Sequence, residues 1–178
     1  IKRSVGILSK LRHFIGTKTL INIYYALVYP FLTYGIIAWG NTYPSNLQSL
    51  YILQKKCVRI ITFSKFDERS SPLFKRLSII KLFDLVTFYI ALFIFKFRNN
   101  ILPPVFDSFF IPVCNIHDHC TRHAARLTYS LPQVRTNYGI SNVRFQGARI
   151  WNSLDDDVKS LSISQFKKKL KSDMFEKY

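Results

Sequence analysis

The sequence predicts a mainly α protein, a helical bundle over about residues 1–100 followed by a smaller basic α+β region over 101–178. Three observations lead there. Apolar residues recur at three- and four-residue spacings through the first part, the signature of helices with one buried face. The run from Thr19 to Gln54 holds no Asp, Glu, Lys, Arg or His, in a chain with a formal net charge of +16, so it should be hidden from water. After Leu102-Pro103-Pro104 the composition shifts to arginines and aromatics in short runs, which marks a boundary.

Taken in order, Ile1, Val5, Leu8, Leu11 and Ile15 share one face of a first helix, with Lys2, Arg3, Lys10 and Arg12 largely elsewhere. Gly16 ends it and Thr17 is placed to cap the next. That helix runs to Tyr29, where Pro30 must end or kink it, because proline lacks an N–H and its ring clashes with the preceding turn. Gly35 and Gly40 punctuate an aromatic segment. Ser45 with Gln48 fits a capping box opening a third helix to about Thr62, which buries Leu47, Leu50, Tyr51 and Val58 and presents Lys55, Lys56 and Arg59 near its C-terminus. A linker with a short helix near Pro72–Leu77 leads to an aromatic helix from Lys81 to Arg98, apolar nearly all round and therefore buried on most sides.

Between Asp118 and Asp155 there is no acid and no lysine, yet Arg122, Arg126, Arg135, Arg144 and Arg149 appear among Tyr129, Tyr138, Phe145 and Trp151. Arg126-Leu127-Thr128-Tyr129 and Val143-Arg144-Phe145 read as extended segments around a turn at Asn137-Tyr138-Gly139. A second capping box, Ser162 with Gln165, opens a final helix that turns Ile163, Phe166, Leu170 and Met174 inward and Lys167, Lys168, Lys169 and Lys171 outward.

With 26 Lys+Arg against 10 Asp+Glu, a polyanion is the first partner to expect, since neutralising phosphates releases condensed counterions. An anionic membrane surface is the second. Arg suits bidentate phosphate contact, and interleaved aromatics can stack on bases. A membrane span over Thr19–Gln54 is opposed by Asn22, Pro30, Gly35 and Asn41. Three irregularly spaced cysteines suit reduced thiols and a nuclear or cytoplasmic location.

Cys114, His117, His119, Cys120 and His123 crowd into too short a stretch for paired zinc ligands to wrap a metal. Asp155-Asp156-Asp157 cannot all face one cation and reads as a charged turn. No catalytic residue and no metal site can be named. The helix-like start at Ile1 predicts a piece cut from a longer polypeptide.

Tyr24-Tyr25-Ala26-Leu27-Val28-Tyr29-Pro30-Phe31-Leu32-Thr33-Tyr34-Gly35, followed by Trp39-Gly40, resembles the thumb region of non-LTR (LINE-type, jockey-like) retrotransposon reverse transcriptases. Leu53-Gln54-Lys55-Lys56 with Arg59-Ile60-Ile61 is similar to the next helix of that family. Thr121-Arg122, Arg135-Thr136-Asn137-Tyr138-Gly139, Gly147, Trp151-Asn152-Ser153-Leu154 and Phe166-Lys167-Lys168-Lys169-Leu170-Lys171 are similar to its C-terminal region. The resemblance implies a thumb-like bundle and post-thumb region of an RNA-directed DNA polymerase. It also implies an upstream palm and fingers as partners in the same polypeptide.

Catalysis in that family needs an aromatic-x-Asp-Asp motif and a further Asp, both missing from this chain, so Mg2+ is expected only at the palm and this piece should be inactive alone. The expected role is to hold RNA, RNA–DNA hybrid or DNA duplex through its backbone, using Lys55, Lys56, Arg59, Arg122, Arg126, Arg135 and Arg144. Two other readings stay open: a small basic membrane-associated protein, and a degenerate element fragment without activity.

Overall fold

The computed structural model describes residues 1–115 and 128–178 and is mainly helical. The helices, in chain order, are α1 (Lys2–Leu11), α2 (Thr17–Leu27), α3 (Tyr29–Thr33), α4 (Ile36–Trp39), α5 (Pro44–Thr62), α6 (Ser70–Arg76) and α7 (Leu82–Arg98), then α8 (Asn137–Ile140), α9 (Val143–Asn152), α10 (Asp156–Lys159) and α11 (Ile163–Glu176). Two single turns of 3-10 helix lie at Pro104–Phe106 and Val113–Asn115. The chain folds as two compact units, Ile1–Val86 with Ser172–Tyr178, and Thr87–Lys171. Both dividing points fall inside helices, α7 and α11, so this division does not coincide with the boundary expected near residue 100.

In the first unit, α2 ends at Leu27 and α3 restarts with Pro30 in its first turn, where a missing N–H leaves no bond unmade. One stripe, Leu20, Tyr24, Val28, Leu32 and Ile36, is buried to 1% exposure or less. The four-residue step carries it along one side of three successive helices. The opposite side corrects the expectation that the whole uncharged run is hidden: Tyr25, Leu27, Phe31 and Tyr34 are exposed. Absence of charge there reflects sequence and not burial. Gly35 takes φ 60, a left-handed conformation open to glycine, and turns the chain so that the Trp39 indole N–H donates to the Tyr34 carbonyl at 2.7 Å. Among the described residues no helix is long and apolar enough to cross a membrane.

A buried amide ties this unit together. Gln54 Nε2 donates to the Tyr24 hydroxyl at 3.0 Å and to the Ile80 carbonyl at 2.9 Å, while Gln54 Oε1 accepts from the Leu82 N–H at 2.9 Å. Burial pushes the Tyr24 hydroxyl pKa well up, keeping it a neutral partner. The Lys81 N–H donates to the Tyr178 hydroxyl at 2.9 Å, so two of the orphan donors at the start of α7 are satisfied by side chains distant in sequence.

Two helix starts differ from expectation. Tyr43, not Ser45, occupies the N-cap of α5 and makes no side-chain cap bond, because Pro44 at N1 already fits the helix and Asn46 Nδ2 donates instead to Thr42 Oγ1 at 2.8 Å. Gly16 holds the N-cap of α2, leaving Thr17 inside the helix.

The second unit packs rings on rings. Phe95 stacks on Phe166 at 4.4 Å between centroids, and Phe110 meets Phe97 at 5.0 Å and Tyr129 at 5.7 Å. Trp151 and Phe166 are fully buried. The expected α+β character is not shown among the described residues, and Arg126 and Leu127 of one expected extended segment lie outside them. Val143-Arg144-Phe145 opens α9, not a strand, because Asn142 caps it by accepting from the Arg144 N–H at 2.9 Å. The expected turn at Asn137-Tyr138-Gly139 is the short helix α8, capped by Thr136. Among the described residues the β structure is one isolated antiparallel bridge, Pro112 with Tyr129. One half of the Ser162–Gln165 box is present, the Ser162 N–H donating to Gln165 Oε1 at 3.2 Å, and the Ser162 hydroxyl donates to the same oxygen at 2.8 Å.

Two substitutions test this packing. A Cβ on Gly147 would lie 2.8 Å from the Phe110 ring, which the surrounding aromatics hold in place, whereas one on Gly6 in α1 meets nothing within 4 Å. Gly147→Ala should therefore destabilise by about 1–3 kcal/mol and Gly6→Ala stabilise by about 0.5–1 kcal/mol, as read from urea unfolding. Gln54→Leu strands three buried polar groups, each costing about 1–3 kcal/mol. Tyr24→Phe strands only one Gln54 proton and should lower the same midpoint much less.

Candidate nucleic-acid interface

Helix α5 brings the expected cations of the first unit to one place. It ends at Phe63, a non-glycine residue in the left-handed region at φ 58, whose N–H returns to the Arg59 and Ile60 carbonyls. That cap turns the Phe63 ring under the guanidinium of Arg12, the C-cap of α1, 4.8 Å from its centroid. Lys55 leans over the Tyr51 ring at 4.8 Å, and Lys56 is exposed. Arg59 donates from Nε and Nη2 to the Glu68 carbonyl at 3.1 and 2.8 Å, which fastens the loop after α5 and leaves Nη1 for another acceptor.

Between α1 and α5 lies a groove of about 410 Å³, lined among others by Gly6, Ser9, Arg12, Lys56, Arg59 and Phe66. Gly6 opens it, since no side chain fills the space there. Three cations line this groove and no carboxylate does. Among the described residues Arg12 Nε is buried without a hydrogen-bond partner. A buried donor left unmade costs about 1–3 kcal/mol. Lys56 and Arg59 were expected here; Arg12 was not. The available signal was its register with Val5 and Ser9, one weakly polar stripe on α1 at four- and three-residue steps.

The second unit treats its arginines differently. Arg135 and Arg149 are exposed. Arg144 is also exposed but lies over the Phe109 ring at 4.5 Å, a stacking contact that holds its stem beside a cavity of about 160 Å³. Arg122 and Arg126 lie outside the described residues, as does most of the Cys114–His123 cluster. The expectation of interleaved stacking aromatics is corrected in part. Tyr129 and Trp151 are buried at 7% and 0% exposure, within the aromatic core, Phe145 is half-buried, and Tyr138 presents its ring to solvent at 88%. Short spacing to arginine did not distinguish a core ring from a surface one.

Asp155-Asp156-Asp157 leads into α10, where Asp156 pairs with the nearly buried Lys159 at 2.8 Å. Among the described residues no group of three or more His, Cys, Asp or Glu could hold a metal ion. The lysine face of α11, with Lys167, Lys168 and Lys171, is exposed as expected, and Lys171 also reaches the Phe88 ring at 5.8 Å.

What these residues define is a mainly helical, strongly basic protein whose first unit holds a groove lined by three cations. Comparison with known proteins finds no matching family model, no matching curated protein and no matching solved structure.

Arg59→Lys keeps the charge but loses the two-pronged hold on the Glu68 carbonyl. The loop from 63 to 69 should then open more often, and trypsin should cut after Lys65 several-fold faster than in the parent chain, as followed by mass spectrometry. Lys55→Ala should leave that rate unchanged.

Proposed function

We propose that this chain is a non-catalytic C-terminal piece of a non-LTR retrotransposon reverse transcriptase that grips template–primer nucleic acid through its backbone. Support comes first from the ordered series of motifs from Tyr24 to Lys171. The single observation that carries the binding role is the α1–α5 groove, where Arg12, Lys56 and Arg59 converge without a carboxylate among the lining residues. The net charge of +16 adds a long-range attraction to any polyanion.

The mechanism is positional. Cations at fixed sites meet successive phosphates and hold the strand in register, while polymer chemistry and its Mg2+ belong to an upstream palm. Phosphate contacts orient a duplex but carry little sequence information. Lys55, Lys56 and Arg59 serve this role in the first unit, and Arg135 and Arg144 in the second.

A second reading rests on the exposed Tyr25, Leu27, Phe31 and Tyr34. An apolar patch on a cationic protein also suits the surface of an anionic membrane. Sedimentation with anionic vesicles separates the two: a backbone-gripping protein is displaced from them by RNA–DNA hybrid.

Binding of a fluorescent RNA–DNA hybrid, measured by anisotropy across salt concentrations, tests the proposal directly. The logarithm of affinity should fall linearly with the logarithm of salt, by about 0.9 for each phosphate neutralised. Lys56→Ala should reduce that slope by about 1, and scrambling the hybrid sequence should leave affinity unchanged. Absence of binding at low salt would sink the reading.

A further inference from the structure

We propose that the α1–α5 groove seats one nucleotide of a single strand, with its phosphate on Arg12, Lys56 and Arg59 and its base stacked on Phe66. This rests on the nucleic-acid reading above and adds to it the form of the ligand. A groove of about 410 Å³ lies in the range of small-ligand pockets and exceeds what contact with a bare phosphate oxygen requires. Its charged side is unfinished: among the described residues Arg12 Nε has no hydrogen-bond partner, Arg59 spends Nε and Nη2 on a single carbonyl, and Lys56 is exposed. The Ser9 hydroxyl, exposed on α1, supplies a neutral donor on the same lining.

The groove's other side is aromatic. Phe66 is 80% exposed, although it sits in a loop that Arg59 fastens through the neighbouring Glu68 carbonyl. The Arg59 guanidinium lies 6.0 Å from the centre of the Phe66 ring, so cation and ring form one platform. A lone exposed phenylalanine is ordinary on protein surfaces. One held beside three cations and an open groove matches the pairing that single-strand binders use, a basic track for the backbone and a ring for the base. Bases in a duplex are already stacked and paired. Only a single strand, such as a template overhang or a frayed end, can offer one to Phe66.

The test compares anisotropy titrations of the full chain with a short single-stranded RNA and with a blunt RNA–DNA hybrid at low salt. Phe66→Leu should weaken single-strand binding by about fivefold or more, the low end of what losing a stacking ring costs, and leave hybrid binding within about twofold. Its thermal melt by circular dichroism should match the parent, since the ring is mostly exposed. Arg12→Gln should weaken both ligands, and Arg12→Lys should restore only part of the loss, because the ammonium lacks the guanidinium fork.

If Phe66→Leu leaves single-strand affinity unchanged while the parent binds hybrid in a salt-dependent way, the nucleotide seat is refuted and the backbone reading stands. If the parent binds neither ligand, both fall. If a free nucleoside monophosphate displaces the strand at micromolar concentration, the groove serves a free nucleotide and the single-strand proposal is overturned.

Discussion

The first unit depends on one buried amide. Gln54 reaches the Tyr24 hydroxyl, the Ile80 carbonyl and the Leu82 N–H, and so joins α2, α5 and the start of α7 at fixed spacing. Apolar contacts alone are non-directional and would leave these helices free to slide. Hydrogen bonds in a dry interior have narrow geometry and a high cost of breakage. They set the register of α5, the helix that carries Lys56 and Arg59, against α2 and the start of α7.

The strong positive charge sets the opposing constraint. Repulsion among 26 Lys+Arg, offset by 10 Asp+Glu, works against a compact state. Several cations are placed on aromatic faces as well as in water: Arg12 on Phe63, Lys55 on Tyr51, Lys81 on Tyr178, Arg98 on Trp151 and Arg144 on Phe109. A ring attracts a cation without neutralising it. The protein gains order in its long side chains while its field toward an incoming anion is kept.

Much of the helical framework was legible because its cause is local. Pro30 breaks a helix wherever it falls, and the buried stripe from Leu20 to Ile36 follows from helix geometry. The errors came where two local signals compete. Val143-Arg144-Phe145 alternates like a strand, but Asn142 supplies a cap that makes the helix cheaper to start. Ser45 could cap α5, yet Pro44 had already fixed the first turn. The site was legible only in part, since Lys56 and Arg59 share a helix and a pattern, while Arg12 shares a register with Val5 and Ser9 but meets α5 only through tertiary packing. For Tyr129 and Trp151 composition gave no hint of inside or outside; that depended on Phe110 and Phe166, distant along the chain.

Tyr178 carries a consequence for how the chain gains order. Its hydroxyl donates to Asp84 Oδ2 at 2.6 Å and accepts from the Lys81 N–H, while Lys81 Nζ sits 3.7 Å from its ring centroid. These contacts join positions 94 and 97 residues apart. The intervening chain is thereby a closed loop, fastened without a covalent cross-link. Closing a loop of that length is an entropic cost that grows only slowly with added residues. The fastening therefore asks only that the start of α7 and the last residue return to one place, while the rings of Phe95, Trp151 and Phe166 hold the helices between them.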